Sequence, residues 1–372
     1  MAQRVVLAMS GGVDSSVAAY LLKAQGYEVI GLFMRTGSCA EDDEQRAKTC
    51  CSATDALDAR RVANRLDIPF YALNFERDFD RIKDYFVDEY TAGRTPNPCV
   101  MCNIWLKFGK LWGYGKQVGA DFVATGHYAR IAQADDGTLR VARAVDRSKD
   151  QSYVLFGLRP QLLPHVLFPV GDYAKAEIRA IAREQGLPVH DKPESQEICF
   201  VPDDDYLAFV RQRRPDHDSS GPIVDEDGQV VGTHQGIEGF TIGQRRGLGI
   251  ALGEPRYVVQ IEPLTRTVTI GRRESLERAG LEAGRFNWQG PEPREPVRCM
   301  AQIRSRHEAV PAMVEPLPDG RARVFFDSPQ SAVTPGQVVT VYQDSLVLGG
   351  GWIERAVCEE PTEAEPAAVQ SC

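Results

Sequence analysis

Val5-Val6-Leu7-Ala8-Met9-Ser10-Gly11-Gly12-Val13-Asp14-Ser15-Ser16 decides how the chain begins to fold. A short apolar run reads as a buried strand, and Gly11-Gly12 permits a tight turn with close backbone approach to a ligand. A helical pattern follows to about Ala24. Free backbone N–H groups and serine hydroxyls then converge where the helix starts, which suits phosphate. The plain alternative is a strand–helix turn capped by serine. Hydroxyls on both sides of Gly-Gly, with Asp14 beside them, favour phosphate. The stretch lacks the Gly-Lys-Ser/Thr of a Walker A loop and the spacing of a dinucleotide GxGxxG turn.

Outward from this loop, Val29–Met34, Pro69–Phe75 and Phe122–Thr125 read as strands, and Ser52–Leu66 as a helix. Phe79, Ile82, Phe86 and Tyr90 recur at helical spacing and share one face. Strands alternating with helices predict an α/β domain with a doubly wound, mostly parallel sheet over residues 1–205. The pattern then changes. Residues 206–278, rich in Gly and Arg up to about Leu252, read as a small central linker domain. Short β-rich segments at Tyr257–Glu262, Arg266–Gly271, Val297–Ile303, Arg321–Asp327 and Gln337–Tyr342 are separated by turns such as Pro318-Asp319-Gly320. They predict a C-terminal β-barrel at 279–358. Residues 359–372 read as a disordered acidic tail.

The 372 residues suffice for two or three domains at roughly 100–200 residues each. No stretch of about 18 apolar residues suggests a membrane span. The start runs straight into a strand, so no leader peptide is expected, and the expected compartment is the cytoplasm. Nine cysteines, an odd number, then read as reduced rather than as a disulfide framework. The 43 Lys and Arg against 52 Asp and Glu give a net charge of −9, which excludes a uniformly basic coat but not local basic faces. Candidate clusters are Arg140, Arg143, Arg147 and Lys149; Arg211, Arg213 and Arg214; Arg245 and Arg246; and Arg304 and Arg306. Each could equally be a solvated face.

A second constellation is Gly93-Arg94-Thr95-Pro96-Asn97-Pro98-Cys99-Val100-Met101-Cys102-Asn103. Two prolines stiffen the approach, and both cysteines sit where a helix can begin, with Lys107 and Lys110 following. A helix start and nearby cations favour thiolate, so redox or nucleophilic use is preferred to zinc, which would want a second ligand pair. A third is Lys192-Pro193-Glu194-Ser195-Gln196-Glu197-Ile198-Cys199-Phe200, whose cysteine alone reads as a buried hydrophobe. Cys50-Cys51 beside the acidic run Glu41–Glu44, and Cys39, Cys299, Cys358 and Cys372, read as structural. The remaining histidines, His165, His190, His217, His234 and His307, show no metal-ligand spacing.

The first loop resembles the PP-loop, SGGxDS, of the N-type ATP pyrophosphatases. With the two cysteine segments, Gly126-His127-Tyr128, Lys149-Asp150-Gln151-Ser152-Tyr153, Gly243–Gly249 and Thr334-Pro335-Gly336-Gln337, the chain resembles the tRNA-specific 2-thiouridylases from Val5 to about Glu354. The resemblance implies an adenine nucleotide α-hydrolase-like fold that binds ATP through Ala8, Met9, Ser10, Gly11, Gly12, Val13, Asp14, Ser15, Met34 and Gly126. It makes Cys102 the nucleophile and Cys199 the persulfide carrier. Asn97, Pro98 and Cys99 would surround the target base, and His127, Lys149, Asp150, Gln151, Arg304, Ser305 and Gln337 would contact tRNA.

The implied reaction adenylylates the C2 oxygen of the wobble uridine and replaces it with sulfur, releasing AMP and pyrophosphate, with Mg²⁺ expected beside ATP. The implied substrates are the tRNAs for Lys, Glu and Gln, and the sulfur donor is a cysteine desulfurase or sulfur-carrier protein. Position 99 is Cys where some relatives carry Asp, so a carboxylate role there does not transfer. The less favoured alternatives are a [4Fe–4S] cluster on Cys99, Cys102 and Cys199, another PP-loop adenylylating synthetase, and a noncatalytic RNA-binding protein.

Overall fold

The computed structural model describes residues 2–37, 53–193, 198–201, 205–250 and 253–358. Cys39, Cys50, Cys51, Cys372, the run Glu41–Glu44, and the tail 359–372 lie outside the described residues.

The chain divides into two compact units. The first holds the residues up to Lys83, then Pro98–Asp204 and Ser345–Leu348. Its centre is a five-stranded parallel sheet of β1 (Arg4–Ala8), β2 (Glu28–Arg35), β3 (Phe70–Asn74), β4 (Phe122–Thr125) and β7 (Val166–Leu167), in the order β3-β2-β1-β4-β7. Val5, Val6 and Leu7 are fully buried, as expected of a central strand covered on both faces. Helix α1 (Val13–Ala24) supplies Val17, Ala18 and Leu22 to the core, and α2 (Ala53–Arg65) supplies Ala59 and Val62. The small side chains let the helices lie close to the sheet.

Strand β1 pairs with β2 on one side and β4 on the other, Ala8 opposite both Leu32 and Thr125. The sheet order reverses at this point, so the loops after β1 and β4 leave side by side. Such a switch point at the carboxyl ends of the strands is where open α/β sheets bind ligands.

Helix α3 (Glu76–Thr91) follows β3, and it buries Phe79, Ile82, Phe86 and Tyr90 as the spacing requires. The next helix has three parts: α4 (Pro98–Met101), a π-helical stretch (Cys102–Leu111) and α5 (Trp112–Gln117). The widened turn sits where Gly109 would drive a Cβ to 2.8 Å from the Ile104 carbonyl oxygen. An antiparallel hairpin, β5 (Ala129–Gln133) with β6 (Leu139–Arg143), was not legible in the sequence. Helix α6 (Lys175–Glu184) completes the described helices of this unit.

The second unit holds Asp84–Asn97, Asp205–Asp344 and the chain from Gly349. After α7 (Tyr206–Arg213), four strands form a sheet in the order β10-β11-β8-β9: β8 (Gly221–Val224), β9 (Val230–His234), β10 (Tyr257–Glu262) and β11 (Thr267–Gly271). Ile223, Ile237, Val258, Val268 and Ile270 form its core.

Six strands then close a barrel. These are β12 (Glu277–Trp288), β13 (Val297–Gln302), β14 (Val310–Leu317), β15 (Arg321–Ser331), β16 (Val338–Gln343) and β17 (Leu346–Val357), ordered β12-β15-β14-β13-β16-β17 with β12 pairing back to β17. Closure removes exposed strand edges. Glu282 is buried in β12 and accepts from Arg323 at 2.8 Å and from Arg355 at 3.0 Å. Among the described residues, no helix is long and apolar enough to cross a membrane.

Candidate active site

The loop after β1 is built by its glycines. Gly11 has φ +75°, and a Cβ there would lie 2.3 Å from the Asp55 carbonyl oxygen. Gly12 is the extended N-cap of α1, and its carbonyl accepts from Ser16 Oγ at 2.8 Å and Ser15 Oγ at 3.2 Å. The Ser10 amide donates to Ser15 Oγ at 3.2 Å. The hydroxyls therefore hold the loop in shape, while the helix N-terminus offers positive potential to an anion. From the neighbouring strand, Gly126 comes so close that a Cβ would meet the Ser15 nitrogen at 2.7 Å. Met9 is buried and Met34 partly so, the latter on β2. The structure thus gathers Ser10–Ser15 and Gly126 at the switch point.

Two lysines join this loop. Lys175 Nζ lies 2.7 and 2.9 Å from the Asp14 carboxylate oxygens, and Tyr128 Oη donates to Asp14 at 2.8 Å. Lys192 Nζ donates to the Gly11 carbonyl at 3.1 Å and to Asp55 and Asp58 at 2.6 and 2.8 Å. Burial opposes the Lys192 ammonium, yet bonds to two carboxylates outweigh that and hold its pKa above the ordinary value. Sequence reasoning missed Lys175 altogether. A signal existed: a cation at the first position of α6 opposes the helix dipole, so another interaction must hold it there.

The cysteine helix begins at Pro98, as the prolines suggest. Cys99 is exposed, whereas Cys102 and Cys199 are half-buried, and all three carry reduced thiols. The protein atoms crowded around Cys99 push its thiol above the ordinary value, with the Lys107 ammonium pulling it back. The residue nonetheless keeps an exposed surface through which a reagent can reach it. Asn103 anchors the helix through its amide to the Val154 carbonyl at 3.0 Å.

Behind the cysteines, His127 is buried, 3.3 Å from Lys107 Nζ and 2.6 Å from Thr125 Oγ1. Burial, then the Lys107 charge, holds its pKa well below the ordinary value, so the ring is neutral. With an ammonium donating to Nε2, the ring proton sits on Nδ1 and faces Thr125.

Beyond His127, the expected RNA-contact residues occupy varied settings. Asp150 accepts from the Ala144 amide at 2.9 Å, Ser152 Oγ at 2.8 Å and Arg143 at 3.2 Å, so it staples its own loop. Gln151 Oε1 accepts from the Tyr128 amide at 2.9 Å. Lys149 is half-buried in the same turn. In the second unit, Gln337 donates to the Pro96 carbonyl at 3.2 Å and the Thr95 amide donates to the Pro335 carbonyl at 2.9 Å. Gly336 belongs to this contact, since a Cβ there would lie 2.8 Å from the Thr95 carbonyl oxygen. Asn97 follows directly, its amide 3.5 Å from Tyr85 Oη. Arg304 and Ser305 are exposed on the turn after β13.

Several candidate cations are engaged within the chain: Arg140 with Asp136, Arg143 with Asp150, Arg213 with Asp84 and Arg214 with Asp88. Arg147, Arg245, Arg246, Arg304 and Arg306 are exposed. Cys299 is buried in β13 and pushed up to about 12 by burial, so it is inert. Cys358 is disulfide-bonded, which departs from the expectation of reduced cysteines throughout.

Among the described residues, no group of three or more His, Cys, Asp or Glu is arranged to hold a metal ion.

An anion-binding loop at the switch point of a parallel sheet, with lysines beside it and thiols on a neighbouring helix, defines a nucleotide-using α/β protein of the PP-loop type. Family models agree along the chain. A tRNA methyl transferase HUP domain matches residues 3–203, a tRNA methyl transferase PRC-barrel domain 208–272, and an aminomethyltransferase beta-barrel domain 278–353. The tRNA-specific 2-thiouridylase MnmA of Geotalea uraniireducens is 51% identical over 95% of this chain and 96% of its own. That of Rhodopirellula baltica is 49% identical over 95% and 97%, and that of Clostridium perfringens 48% over 95% and 98%. The chain belongs to the tRNA-specific 2-thiouridylase MnmA family. A solved 4-thiouridine synthetase–RNA complex with bound ATP aligns at TM-score 0.33 and 17% identity over 57% of this chain and 51% of that one, and at that score adds nothing to the assignment.

Proposed function

We propose that the protein is an ATP-dependent tRNA sulfurtransferase that thiolates C2 of the wobble uridine. The observation that carries the reading is the intact Ser10–Ser16 loop at the switch point, in a chain about half identical to named 2-thiouridylases along nearly its whole length. A carbonyl oxygen is a poor leaving group, so ATP must first convert it into an adenylate. The loop amides and the start of α1 would bind the phosphates, with Gly126 leaving room for close approach. Lys175 and Lys192 would meet charge developing on the departing pyrophosphate. Mg²⁺ would be held by Asp14 and by phosphate oxygens, since it needs only one or two carboxylates, and it would neutralise phosphate charge.

Cys199 carries persulfide sulfur to C2. Cys102 attacks the Cys199 sulfur, and a Cys102–Cys199 disulfide forms as AMP leaves. Asn97, Pro98 and Cys99 surround the flipped base. Arg147, Arg245, Arg246, Arg304 and Arg306 supply phosphate contacts, which need only local cations in an acidic protein. The acceptors are the tRNAs for Lys, Glu and Gln, the sulfur comes from a desulfurase or carrier, and the compartment is the cytoplasm. The three working regions are the 1–205 catalytic domain, the 206–278 linker domain and the 279–358 barrel.

The test is mass spectrometry of nucleosides from unmodified tRNA incubated with enzyme, ATP, Mg²⁺ and a persulfide donor. The expected result is ATP-dependent 2-thiouridine, lost in Cys102→Ser and Cys199→Ser. Undiminished product from either folded variant removes that cysteine from the scheme. No thiolated nucleoside, with ATP still cleaved, points to another PP-loop synthetase.

A further inference from the structure

The thiolation scheme leaves a Cys102–Cys199 disulfide that must be opened before the next turnover, and it gives Cys99 no chemistry of its own. We propose that Cys99 is the resolving thiol: it attacks Cys102 Sγ, frees Cys199, and carries the disulfide to the surface as Cys99–Cys102. The proposal rests on the roles assigned above to Cys102 and Cys199.

Two observations point to it. The first is placement. Cys99 and Cys102 are three residues apart at the junction of α4 with the π-helical stretch. Residues so spaced on a helix lie on one face, with Cβ atoms about 5–6 Å apart. A disulfide needs about 3.5–4.5 Å. Closing that gap moves only the first turn, whose N–H groups have no intrahelical partner to lose. The second is exposure. Cys99 is exposed while Cys102 and Cys199 are half-buried, so of the three thiols Cys99 is the most accessible to an external reductant. Cys299, buried in the barrel, can play no part.

The exchange balances. The Cys99 thiolate forms a bond to Cys102 Sγ, and the Cys102–Cys199 bond breaks with its electron pair on Cys199. Cys199 then takes up the proton that Cys99 gave up. No net oxidation occurs in this step. An external dithiol next attacks Cys99 Sγ and supplies two electrons and two protons, returning Cys99 and Cys102 as thiols. Cys199 is already reduced at that stage and can be recharged with sulfur. Because Cys99 would lie against the target base during transfer, resolution follows departure of the modified base.

The experiment is a single turnover of the full-length enzyme with tRNA, ATP and a persulfide donor, quenched at intervals with N-ethylmaleimide and mapped as non-reduced peptides. A Cys102–Cys199 cross-linked peptide should rise with product, then decay as a Cys99–Cys102 disulfide appears and Cys199 becomes alkylated. In Cys99→Ser the Cys102–Cys199 cross-link should persist. Its ratio of steady-state rate to first-turnover rate, measured with dithiothreitol, should fall about tenfold, because an external thiol replaces an intramolecular one. The ratio isolates resolution from any effect of the variant on the base. A wild-type Cys102–Cys199 cross-link that lasts until dithiothreitol is added, or an unchanged ratio in Cys99→Ser, overturns the proposal. Product formed with no Cys102–Cys199 species at any time, and in Cys102→Ser as well, instead overturns the parent scheme and takes this proposal with it.

Discussion

Gly126→Ala perturbs the nucleotide loop through a single methyl group. The added Cβ would lie 2.7 Å from the Ser15 nitrogen and 2.9 Å from the Asp14 carbonyl carbon, both backbone atoms. Restoring an ordinary 3.4 Å contact moves the start of α1 and the end of β4 apart by about 0.7 Å. Neither side can give easily, because Ala8 and Thr125 are locked in one parallel ladder. Overpacking of this kind costs about 1–3 kcal/mol of stability. Displacing a binding group by nearly 1 Å can cost on the order of 100-fold in rate. The matched control is Gly113→Ala in α5, where nothing lies within 4 Å of the added carbon. That change should stabilise the helix by about 0.5–1 kcal/mol and leave catalysis alone. The assay pairs urea unfolding with tRNA-dependent pyrophosphate release. We expect Gly126→Ala to lose about 10- to 100-fold in kcat/KM for ATP while staying folded at assay temperature. A Gly126→Ala enzyme within about twofold of wild type in kcat/KM would refute the close-packed loop as the nucleotide site.

Three further outcomes follow from the geometry. Lys175→Met should lower the adenylylation rate by about 10²–10³-fold with a smaller effect on ATP binding, read as pyrophosphate release in single turnover, and an equal loss in binding alone would contradict its place at the departing phosphates. In the barrel, burial pushes the Glu282 carboxyl up, but bonds from Arg323 and Arg355 outweigh this and hold it below its ordinary value. Its stabilisation is therefore present above the ordinary carboxyl pKa and lost as pH falls through the lower folded value; Glu282→Gln should cost about 2–3 kcal/mol at neutral pH, reduced from a fully buried pair by the partial exposure of both arginines, and the gap to wild type in urea titrations should close in acid. His127 is likewise held below its ordinary value, here by burial and the Lys107 charge: it stays neutral in the fold while the unfolded chain takes a proton near 6.5, so its contribution falls as pH drops below that value, and wild type should lose up to about 1.4 kcal/mol per pH unit relative to His127→Gln. A pH-independent difference would mean that His127 titrates normally.

What could be read ahead of the structure was local. The strand–glycine–helix sequence of Val5–Ala24 carries its own turn chemistry, and Phe122–Thr125 was bounded correctly because a half-buried phenylalanine and three buried residues end at a glycine. The barrel strands were half visible, through alternation and the Pro318-Asp319-Gly320 turn, whose Asp319 and Gly320 both have positive φ. Strands β12, β14 and β17 went unread. Gly280, Gly284, Gly349 and Gly351 break up the alternation in β12 and β17, and each sits against a neighbouring strand with no room for a Cβ.

Long-range pairings were beyond reach. Arg213 meets Asp84 across 129 positions, and Lys192 meets Asp55 across 137, and no periodicity reports such partners. The arginine clusters therefore read as equally available, although the structure engages Arg140, Arg143, Arg213 and Arg214, from two of the clusters, with carboxylates. The π-helical stretch after Cys102 also has no sequence rule, since it reflects one displaced hydrogen-bond ladder rather than a composition. Within the site, the loop and the cysteines were legible as motifs. Of the lysines that complete it, Lys175 was legible only as an oddity at a helix start, and Lys192 only as the first residue of the Cys199 segment.

In the proposed reaction ATP activates the C2 oxygen of the uridine. The direct measurement uses tRNA carrying ¹⁸O at C2 of the wobble uridine, followed by mass spectrometry of the released AMP. Transfer of the labelled oxygen to AMP, in step with 2-thiouridine formation, is the result this account predicts. Thiolated tRNA with unlabelled AMP would contradict it.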